Sequence, residues 1–218
     1  MTASVGIIVI GAGGHARVVA DALLCAGTTV IGFTDADSTT WGRILAGLPV
    51  LGGDDVLRQH DARSIRLVNG LGMIDARSST LRRRVQEELM SRGWSFTAVR
   101  HPSAVISPRA KVSSDAQVLA GAVVQPGASL GVGSIVNTRA VVEHDTCVGD
   151  WSHVAPGAVI CGDARIGMHT HIGAGAAVRQ GVHIGDRCLI GLGAAVVADQ
   201  AAASNVAGVP ARPFESKQ

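Results

Sequence analysis

The chain has 218 residues, enough for two small domains with real cores, and its formal net charge at neutral pH is only +2. Because no run of basic residues stands out, nucleic acid and anionic membrane surfaces are not expected as partners. The apolar run at 5–10 is too short to span a bilayer and follows no charged segment, and the four cysteines form no C-x-x-C pair. We therefore expect a cytoplasmic protein with reduced thiols and no membrane insertion.

The first hundred residues predict a small α/β domain. Apolar runs bounded by turn residues predict strands at 5–10, 29–33, 64–72 and 94–99, and two further stretches predict helices at about 15–26 and 78–93. The second helix is expected to start on a serine cap and to end at a glycine. The strand at 5–10, the helix at about 15–26 and the strand at 29–33 form a Rossmann-like βαβ unit.

The loop between the first strand and the first helix predicts a phosphate site. Three glycines there let the backbone approach an anion at the helix N-terminus: Gly11, Gly13 and Gly14. Asp35 ends the second strand, where an acid often binds ribose hydroxyls, and His15 either contacts the acceptor or simply begins the helix. Ala16 breaks the dinucleotide fingerprint G-x-G-x-x-G, which favours a nucleotide sugar over NAD; a purely structural turn is the alternative.

A six-residue repeat occupies the second half. From residue 106 to residue 196 every sixth residue is aliphatic, and the residue two before each is Ala, Ser or Thr except at Val182 and Cys188. This period predicts a solenoid of short strands and turns, with three units in each eighteen-residue coil. Parallel rungs lie about 4.8 Å apart, which gives about five coils. We expect domains at 1–100 and 101–218, with Pro102 at the boundary.

One corner of the predicted solenoid carries a histidine beside an acid, His144 and Asp145. Because Gly162 follows His144 by one coil, the two should lie on adjacent rungs about 5 Å apart, and His153 should stack on His171 in the same way. A histidine whose pKa is kept near neutral pH by an adjacent carboxylate is suited to general base catalysis. The alternative is a polar corner that only contacts solvent.

Four stretches carry a specific resemblance over nearly the whole chain: GAGGHARVVADAL, HPSAVIS, NTRAVVEHDTCVGDWSHVAPGAVICG and GVPAR. They resemble the bacterial sugar acyltransferases of the hexapeptide-repeat superfamily. That family includes sialic acid O-acetyltransferases and N-acetyltransferases of nucleotide-linked 4-amino sugars. The resemblance implies a left-handed parallel β-helix after the Rossmann-like domain, and a homotrimer with acetyl-coenzyme A in the groove between two subunits.

The same resemblance implies roles for individual residues. His144 is the expected base, Asp145 raises its basicity, the Gly162 N–H binds the thioester carbonyl, and His153 lies beside them in the active site. The residues expected to bind acetyl-coenzyme A are His153, Gly162, Ala174, Val209 and Pro210. Those expected to bind the nucleotide of the acceptor are Gly11, Gly13, Gly14, His15 and Asp35. Residues 199–212 break the repeat and are expected to leave the prism and cover the tail of the coenzyme.

The histidines and cysteines of the solenoid predict neither a metal centre nor a nucleophile. Hexapeptide-repeat zinc carbonic anhydrases use two histidines five residues apart, and no pair here has that spacing. Stacked histidines on a solenoid are more often solvated or in contact with a second subunit, so no metal is expected. Cys147 and Cys161 flank inward-facing positions and are expected to be structural.

These observations predict an acetyl-coenzyme A-dependent N-acetyltransferase. Its acceptor is expected to be the 4-amino group of a nucleotide-linked amino-deoxy sugar in bacterial surface-glycan biosynthesis, because the βαβ unit otherwise has nothing to hold. Trp41 is a candidate for stacking on the base of that nucleotide. The first alternative is O-acetylation of a sialic-acid-like sugar. The second is a non-catalytic trimeric or metal-binding solenoid.

Overall fold

The computed structural model describes residues 5–214. The chain forms two compact units. Unit 1 contains the described residues up to Gly72 together with Arg82–Pro102, and unit 2 contains Met73–Leu81 together with the described residues from Ser103 onward. The short excursion of Met73–Leu81 into the second unit has no signal in the sequence pattern.

Unit 1 contains a five-stranded sheet. Its strands are β1 (Gly6–Ile10), β2 (Val30–Thr34), β3 (Ile44–Leu45), β4 (Leu48–Gly52) and β5 (Ile65–Asn69). They lie in the order β3-β4-β2-β1-β5, and all neighbours are parallel except the hairpin β3–β4. The apolar residues of β1 are buried on both faces, as expected of a central parallel strand. The carboxyl ends of β1, β2 and β5 therefore meet at one edge, where α/β sheets bind ligands.

Two helices follow the predicted pattern with small shifts at their ends. They are α1 (Gly14–Cys25) and α2 (Ala76–Ser91), and α2 contributes to both units. The predicted serine cap of α2 is wrong by three residues, because the Asp75 carboxylate accepts the Ser78 N–H at 2.7 Å and so caps the helix. Gly93, in the left-handed conformation, ends the helix as predicted.

The last strand of unit 1 is shorter than predicted. β6 covers only Val99–Arg100, and Phe96 makes an isolated parallel bridge to Leu67 of β5. β6 packs against α1. This contact brings the residues after β6 next to the helix.

Unit 2 is a left-handed parallel β-helix, as the repeat and the resemblance predicted. Each aliphatic residue of the repeat is the second residue of a two-residue strand. These strands are β7 (Val105–Ile106), β8 (Lys111–Val112), β9 (Gln117–Val118), β10 (Val123–Val124), β11 (Ser129–Leu130), β12 (Ile135–Val136), β13 (Val141–Val142), β14 (Cys147–Val148), β15 (His153–Val154), β16 (Val159–Ile160), β17 (Arg165–Ile166), β18 (His171–Ile172), β19 (Ala177–Val178), β20 (His183–Ile184), β21 (Leu189–Ile190) and β22 (Ala195–Val196).

Three parallel sheets form the faces of the prism. Face 1 contains β7, β10, β13, β16, β19 and β22; face 2 contains β8, β11, β14, β17 and β20; and face 3 includes β9, β12, β15, β18 and β21. Neighbouring strands pair residues eighteen apart, as between Val123 and Val141. The first residue of each strand points outward and the second points inward. Any residue can therefore be placed on a face or an edge by counting.

The prism has an apolar core, and the few hydroxyl groups in it are hydrogen-bonded. The inward aliphatic residues from Val118 to Val196 are buried, and the small residues two before them are buried as well. Where the small residue is Thr or Ser, its hydroxyl donates to a backbone carbonyl. The acceptor lies one rung away for Thr146 (Cys161, 3.2 Å), Ser152 (Gly167, 2.6 Å) and Thr170 (Gly185, 2.8 Å), whereas Ser134 donates within its own rung to Gly131 at 2.8 Å. A small side chain with an internal partner thus costs the core little.

The C-terminal segment does not leave the prism, and that prediction was wrong. β23 (Asn205–Ala207) pairs in parallel with β21 of face 3 and places Val206 in the core. β24 (Arg212–Pro213) then runs antiparallel to β23, and Gln200 bridges to Ile184 of β20. The spacing changes because ten residues separate Val196 from Val206. The apolar residue still fills the core although the repeat is broken.

Between residues 5 and 214, neither helix combines the length and the apolar character that a membrane span requires.

Candidate functional site

The edge between faces 1 and 2 carries the candidate base. His144 lies in the turn between β13 and β14, and its Nδ1 lies 3.0 Å from Oδ2 of Asp145. Both side chains are well exposed, at 55% and 67%. The hydrogen bond to the Asp145 carboxylate is the main effect and raises the pKa of His144. Partial desolvation opposes that shift, and the charges of Asp145, Glu143 and Asp163 add to it. With a proton on Nδ1 donated to Asp145, Nε2 is left as the basic nitrogen of a neutral ring.

Gly162 lies directly under the His144 ring, which confirms the predicted stacking. A Cβ built on Gly162 would lie 2.5 Å from Nε2 of His144 and 2.6 Å from its Cε1, a separation that no side chain tolerates. The carbonyl of His144 accepts the N–H of Asp163 at 2.9 Å, which locks the two rungs together. The N–H of Gly162 itself donates to no group among residues 5–214. A basic nitrogen and an outward backbone donor therefore lie side by side.

A second glycine supports the acid of the pair. Asp145 has a left-handed backbone with a φ of 60° and stacks over Gly127 on the preceding rung. A Cβ at Gly127 would fall inside van der Waals contact of the Asp145 carboxylate. The sequence marked Gly127 only as a corner glycine. Its role in seating Asp145 emerges from the stacking of the two rungs.

His153 lies on face 3 in a buried polar network. Its Nδ1 lies 2.7 Å from the Met73 carbonyl and its Nε2 lies 2.9 Å from Nδ2 of Asn137. The carbonyl accepts only from an N–H, and the amide of Asn137 then donates to Nε2. These partners hold His153 as the neutral Nδ1–H tautomer, so both of its ring nitrogens are already bonded. The His153 and His171 rings contact edge to face with centroids 5.0 Å apart, as the register predicted.

Burial disfavours the charged form of His171. Burial is the main effect and lowers the pKa of His171, while the nearby Asp75 carboxylate opposes that shift. Asp75 and Met73 belong to the excursion Met73–Leu81 that joins unit 2. Ser79 of the same excursion donates to the Trp151 carbonyl at 2.7 Å. Sequence reasoning missed this segment, because a carbonyl partner such as that of Met73 leaves no residue signature.

Within one chain, His153 does not lie beside His144. His144 is on the edge between faces 1 and 2, whereas His153 projects from face 3, on the opposite side of a triangular prism. Ala174 follows β18 and lies on the edge between faces 3 and 1. The stacking rule relates residues eighteen apart, and neither residue has that spacing from His144.

Val209 and Pro210 lie at the far end of face 1. The turn that contains them is fixed by Ala195, whose N–H donates to the Gly208 carbonyl at 3.0 Å and whose carbonyl accepts from Ala211 at 2.8 Å. Val209 is almost fully exposed. Three rungs separate Ala195 from Val141, which precedes the His144 turn, so the distance along the prism is about 14 Å at about 4.8 Å a rung.

In unit 1, Asp35 holds the glycine loop in place. One oxygen of its carboxylate accepts the Ala12 N–H at 2.6 Å and the other accepts the Asp37 N–H at 2.8 Å. The Asp35 carbonyl accepts the indole N–H of Trp41 at 2.8 Å. Asp35 therefore joins the loop after β1 to the loop after β2, a structural role that the sequence did not predict.

The N-terminus of α1 is open at the predicted position. Gly11 has a φ of 92°, and Gly13 caps the helix without any side-chain hydrogen bond. A Cβ would meet nothing within 4 Å at Gly13 and only the Arg17 guanidinium at Gly14, so protein packing does not explain these two glycines. No acid lies in the first turn. This end of the helix can accept an anion such as a phosphate.

Two further predicted residues border the same loops. His15 is half-buried, and its Cβ would lie 3.5 Å from a Cβ placed on Gly72. Trp41 is half-exposed and its ring packs over Gly53. An aromatic face held by a backbone hydrogen bond is a ready surface for a flat ring.

Comparison with known proteins places the chain in a family. Residues 6–89 match the family model of the PglD N-terminal domain. The acetyltransferase domain of PglB from Neisseria gonorrhoeae FA1090, solved with acetyl coenzyme A, is 35% identical, with a TM-score of 0.90 over 97% of this chain and 100% of that one. The chain belongs to the hexapeptide-repeat sugar acetyltransferase family. Within this family, PerB from Caulobacter crescentus, solved with CoA and GDP-perosamine, is 34% identical with a TM-score of 0.86, over 96% of this chain and 97% of that one.

Membership of the sugar acetyltransferase family confirms the resemblance seen in the sequence and makes this protein an acyltransferase. A variant of the Caulobacter crescentus perosamine N-acetyltransferase in which one histidine is replaced by asparagine was also solved with CoA and GDP-perosamine; it is 34% identical, with a TM-score of 0.87 over 97% of each chain. A search of curated protein sequences found no match.

Proposed function

We propose that this sugar N-acetyltransferase transfers the acetyl group of acetyl-coenzyme A to the 4-amino group of a nucleotide-linked amino-deoxy sugar in bacterial surface-glycan biosynthesis. The observation that carries the proposal is the His144–Asp145 pair directly above the backbone of Gly162. Relatives of similar length were solved with acetyl coenzyme A and with GDP-perosamine, an amino-sugar nucleotide. The acceptor class follows from that likeness and from the anion-accepting loop of unit 1.

His144 acts as the general base in this proposal. The amine nitrogen attacks the thioester carbonyl and loses a proton to Nε2 of His144, and the C–S bond then breaks to release the thiol of coenzyme A. Asp145 accepts the Nδ1–H, so the neutral ring has its free lone pair on Nε2, beside Gly162, and the carboxylate stabilises the imidazolium that forms. No covalent enzyme intermediate is needed.

The Gly162 N–H supplies the donor for the developing charge. Negative charge grows on the thioester oxygen as the amine attacks, and a backbone donor fixed in advance stabilises it without reorganisation. The carbonyl of Gly162 accepts the Gly181 N–H at 3.0 Å, and the next residue, Asp163, donates its N–H to the His144 carbonyl at 2.9 Å. These bonds hold the Gly162 backbone in place along the rungs. The absence of a side chain is what allows the His144 ring to come so close.

Unit 1 binds the nucleotide in this proposal. The phosphates lie at the N-terminus of α1 against Gly13 and Gly14, where nothing in the protein fills the space. Asp35 keeps that loop in shape and retains lone pairs for a ribose hydroxyl. Trp41 and His15 border the same loops and complete the acceptor side.

A homotrimer completes the coenzyme site. The outward residues of face 1 are all apolar: Val105, Val123, Val141, Val159, Ala177 and Ala195. A continuous apolar stripe of this kind favours burial against a second copy of the chain. A neighbouring subunit also explains how His153 and Ala174, which lie on other sides of the prism, come to border a site at His144. Val209 and Pro210 at the end of face 1 then lie along the path of an extended coenzyme.

The homotrimer predicts a sharp response to a charge on face 1. The substitution Val159→Glu places a carboxylate in the apolar stripe and should convert the trimer to monomers, because an unpaired charge buried in an interface is costly. The measurement is the mass in solution by light scattering. Arg58→Glu, a change at a highly exposed site of unit 1, is the control and should stay trimeric. A wild-type monomer, or a trimer that tolerates Val159→Glu, contradicts this assembly.

The reaction is tested with a panel of acceptors. The protein is incubated with acetyl-coenzyme A and UDP- or GDP-linked 4-amino sugars, the corresponding free amino sugars, and free sialic acids, and thiol release is followed. Turnover with one nucleotide-linked amino sugar, with an N-acetyl product by mass spectrometry, supports the proposal and names the nucleotide. Turnover only with a sialic acid assigns O-acetylation instead. Thiol release no faster than buffer across the panel overturns the proposed function.

A further inference from the structure

Outside the proposed active site, unit 1 brings together three side chains of the types that bind transition metals. They are Asp21 and Cys25 of α1 and His101, which follows β6. One carboxylate oxygen, the thiol sulfur and one imidazole nitrogen all lie within 4.8 Å of one another. No other group of three such ligands occurs among residues 5–214. The cluster is therefore a particular arrangement of this fold rather than a recurrent surface pattern.

The fold explains why these residues meet. Asp21 and Cys25 are four residues apart on α1 and so project from the same side of the helix, one turn from each other. β6 packs against α1, and His101 comes directly after β6, so its ring is delivered to that side. Because His101 comes 76 positions after Cys25, the sequence gives no sign of this grouping.

The donor set selects a class of metal. A thiolate, an imidazole and a carboxylate together suit zinc and similar divalent ions, whereas magnesium and calcium prefer oxygen donors alone. In a tetrahedral zinc site, ligand atoms lie about 3.5 Å apart, so rotation of the side chains by about 1 Å closes the present triangle. Three protein ligands leave a fourth position for water, and the exposure of Asp21 and Cys25 gives the ion a path of entry.

The helix itself favours a cation at this place. Cys25 is the last residue of α1, where the backbone carbonyls carry partial negative charge. No basic side chain lies in the last turn to neutralise it. The cysteine is exposed and forms no disulfide. A bound divalent ion would balance the carboxylate, the thiolate and the end of the helix together.

We propose that Asp21, Cys25 and His101 bind one zinc ion at the C-terminal end of α1. The ion links the helix to the segment after β6 and stabilises unit 1 when zinc is present. This site is separate from the residues assigned to acetyl transfer, and it stands or falls independently of the proposed function.

The experiment uses the full chain, reduced and freed of metal. Cobalt(II) is titrated as a spectroscopic substitute for zinc, and a sulfur-to-cobalt charge-transfer band reports thiolate binding. The wild type should give one equivalent of cobalt with this band, and zinc should displace it. Cys25→Ser and His101→Ala should each weaken metal binding at least about tenfold, as loss of an interaction at a metal site does. Asp21→Asn should weaken it as well.

Matched variants make the result specific. Cys147→Ser and Cys161→Ser remove half-buried thiols of unit 2 and should leave the band unchanged. Circular dichroism of the metal-free proteins shows whether each variant folds, and Cys25 is exposed enough that its replacement by serine should not disturb the fold. Absence of the band in folded wild type overturns the proposal. So does a band that survives Cys25→Ser or His101→Ala.

Discussion

The two units place their functional groups by different means. In the β-helix, residues eighteen apart stack on adjacent rungs. The position of a side chain on one rung therefore depends on the residue beneath it on the next rung. In the α/β unit, the groups lie in loops at the ends of strands, where individual hydrogen bonds decide the geometry. His144 over Gly162 is an example of the first kind, and Asp35 bound to Ala12 and Asp37 is an example of the second. The position of a residue in the β-helix can be predicted by counting residues along the chain. The position of a residue in the loops of unit 1 is known only from the structure.

The largest expected effect tests the stacked site at its centre. His144→Ala removes the proposed base and should lower kcat by about a hundredfold to ten-thousandfold, the usual contribution of general base catalysis. The side chain is exposed, so the fold should be unaffected. His183→Ala, which removes an exposed outward histidine of face 2, is the control and should retain activity. A loss of less than about tenfold would refute the role of His144 as the base.

The next largest effect tests whether Gly127 on one rung positions the Asp145 carboxylate on the following rung. Gly127→Ala places a methyl group against the Asp145 carboxylate, whereas Gly157→Ala has the same left-handed strain, with a φ of 68° against 77°, and meets nothing within 4 Å. Both variants should lose about 1–2 kcal/mol of stability. Only Gly127→Ala should lose activity, by about tenfold to a hundredfold, because it misplaces the acid that orients His144.

Thermal denaturation and initial rates, measured on both variants, separate strain from positioning. Equal losses of activity in Gly127→Ala and Gly157→Ala would mean that the corner strain alone is responsible. In Gly127→Ala the acidic limb of the pH–rate profile should also shift to lower pH. A purely structural role would not produce that shift.

A smaller effect concerns pH. The Asp145 hydrogen bond raises the pKa of His144, and the base works only when neutral, so activity falls as the pH drops through that raised value. Asp145→Asn removes the charge but keeps an oxygen for Nδ1–H. The pKa of His144 should therefore fall and the acidic limb of kcat/KM should move to lower pH. At higher pH, kcat should drop by roughly tenfold or less, because the base is weaker. An unshifted limb would show that a different group controls it.

The smallest effect on kcat is expected at the nucleotide loop of unit 1, whose geometry is set by Asp35. Asp35→Asn replaces one of two acceptor oxygens by an amide donor that faces a backbone N–H, so unit 1 should lose about 1–3 kcal/mol of stability. The KM for the nucleotide sugar should rise more than kcat falls. Asp55→Asn breaks only an exposed ion pair and should change stability by about 1 kcal/mol or less. If Asp35→Asn behaves like Asp55→Asn, the carboxylate does not hold the loop.

Most of the structure of unit 2 could be predicted from the sequence because the β-helix repeats with a fixed residue spacing. The inward aliphatic residues, the stacking of His144 on Gly162 and the contact of His153 with His171 all depend on one number, the eighteen residues of a coil. The strands β1, β2 and β5 and both helices were also close, since buried parallel strands and capped ends leave strong local signals. The cap of α2 was misplaced because Asp75 and Ser78 both have the side chains that caps use.

The features that the sequence did not predict depend on contacts between segments that are far apart in the chain. The Met73 carbonyl that fixes His153 comes from a loop eighty residues away and has no side-chain signature. The clamp formed by Asp35 required the path of two loops, and the grouping of Asp21 with His101 required the packing of β6 on α1. The end of the solenoid was misjudged for a related reason: a broken repeat was taken as the end of the prism, yet Val206 continued its core.

That last segment protects the solenoid from other strands. A parallel β-helix ends in a row of unpaired backbone groups at which another chain can add, which is a route to aggregation. Here Gln200 covers the end of face 2, the turn from Gly208 to Ala211 covers face 1, and β24 covers face 3. β24 runs in the opposite direction and carries Pro213, which has no N–H to offer a further strand. The residues that break the six-residue rule are therefore the ones that stop growth of the sheet beyond the last coil.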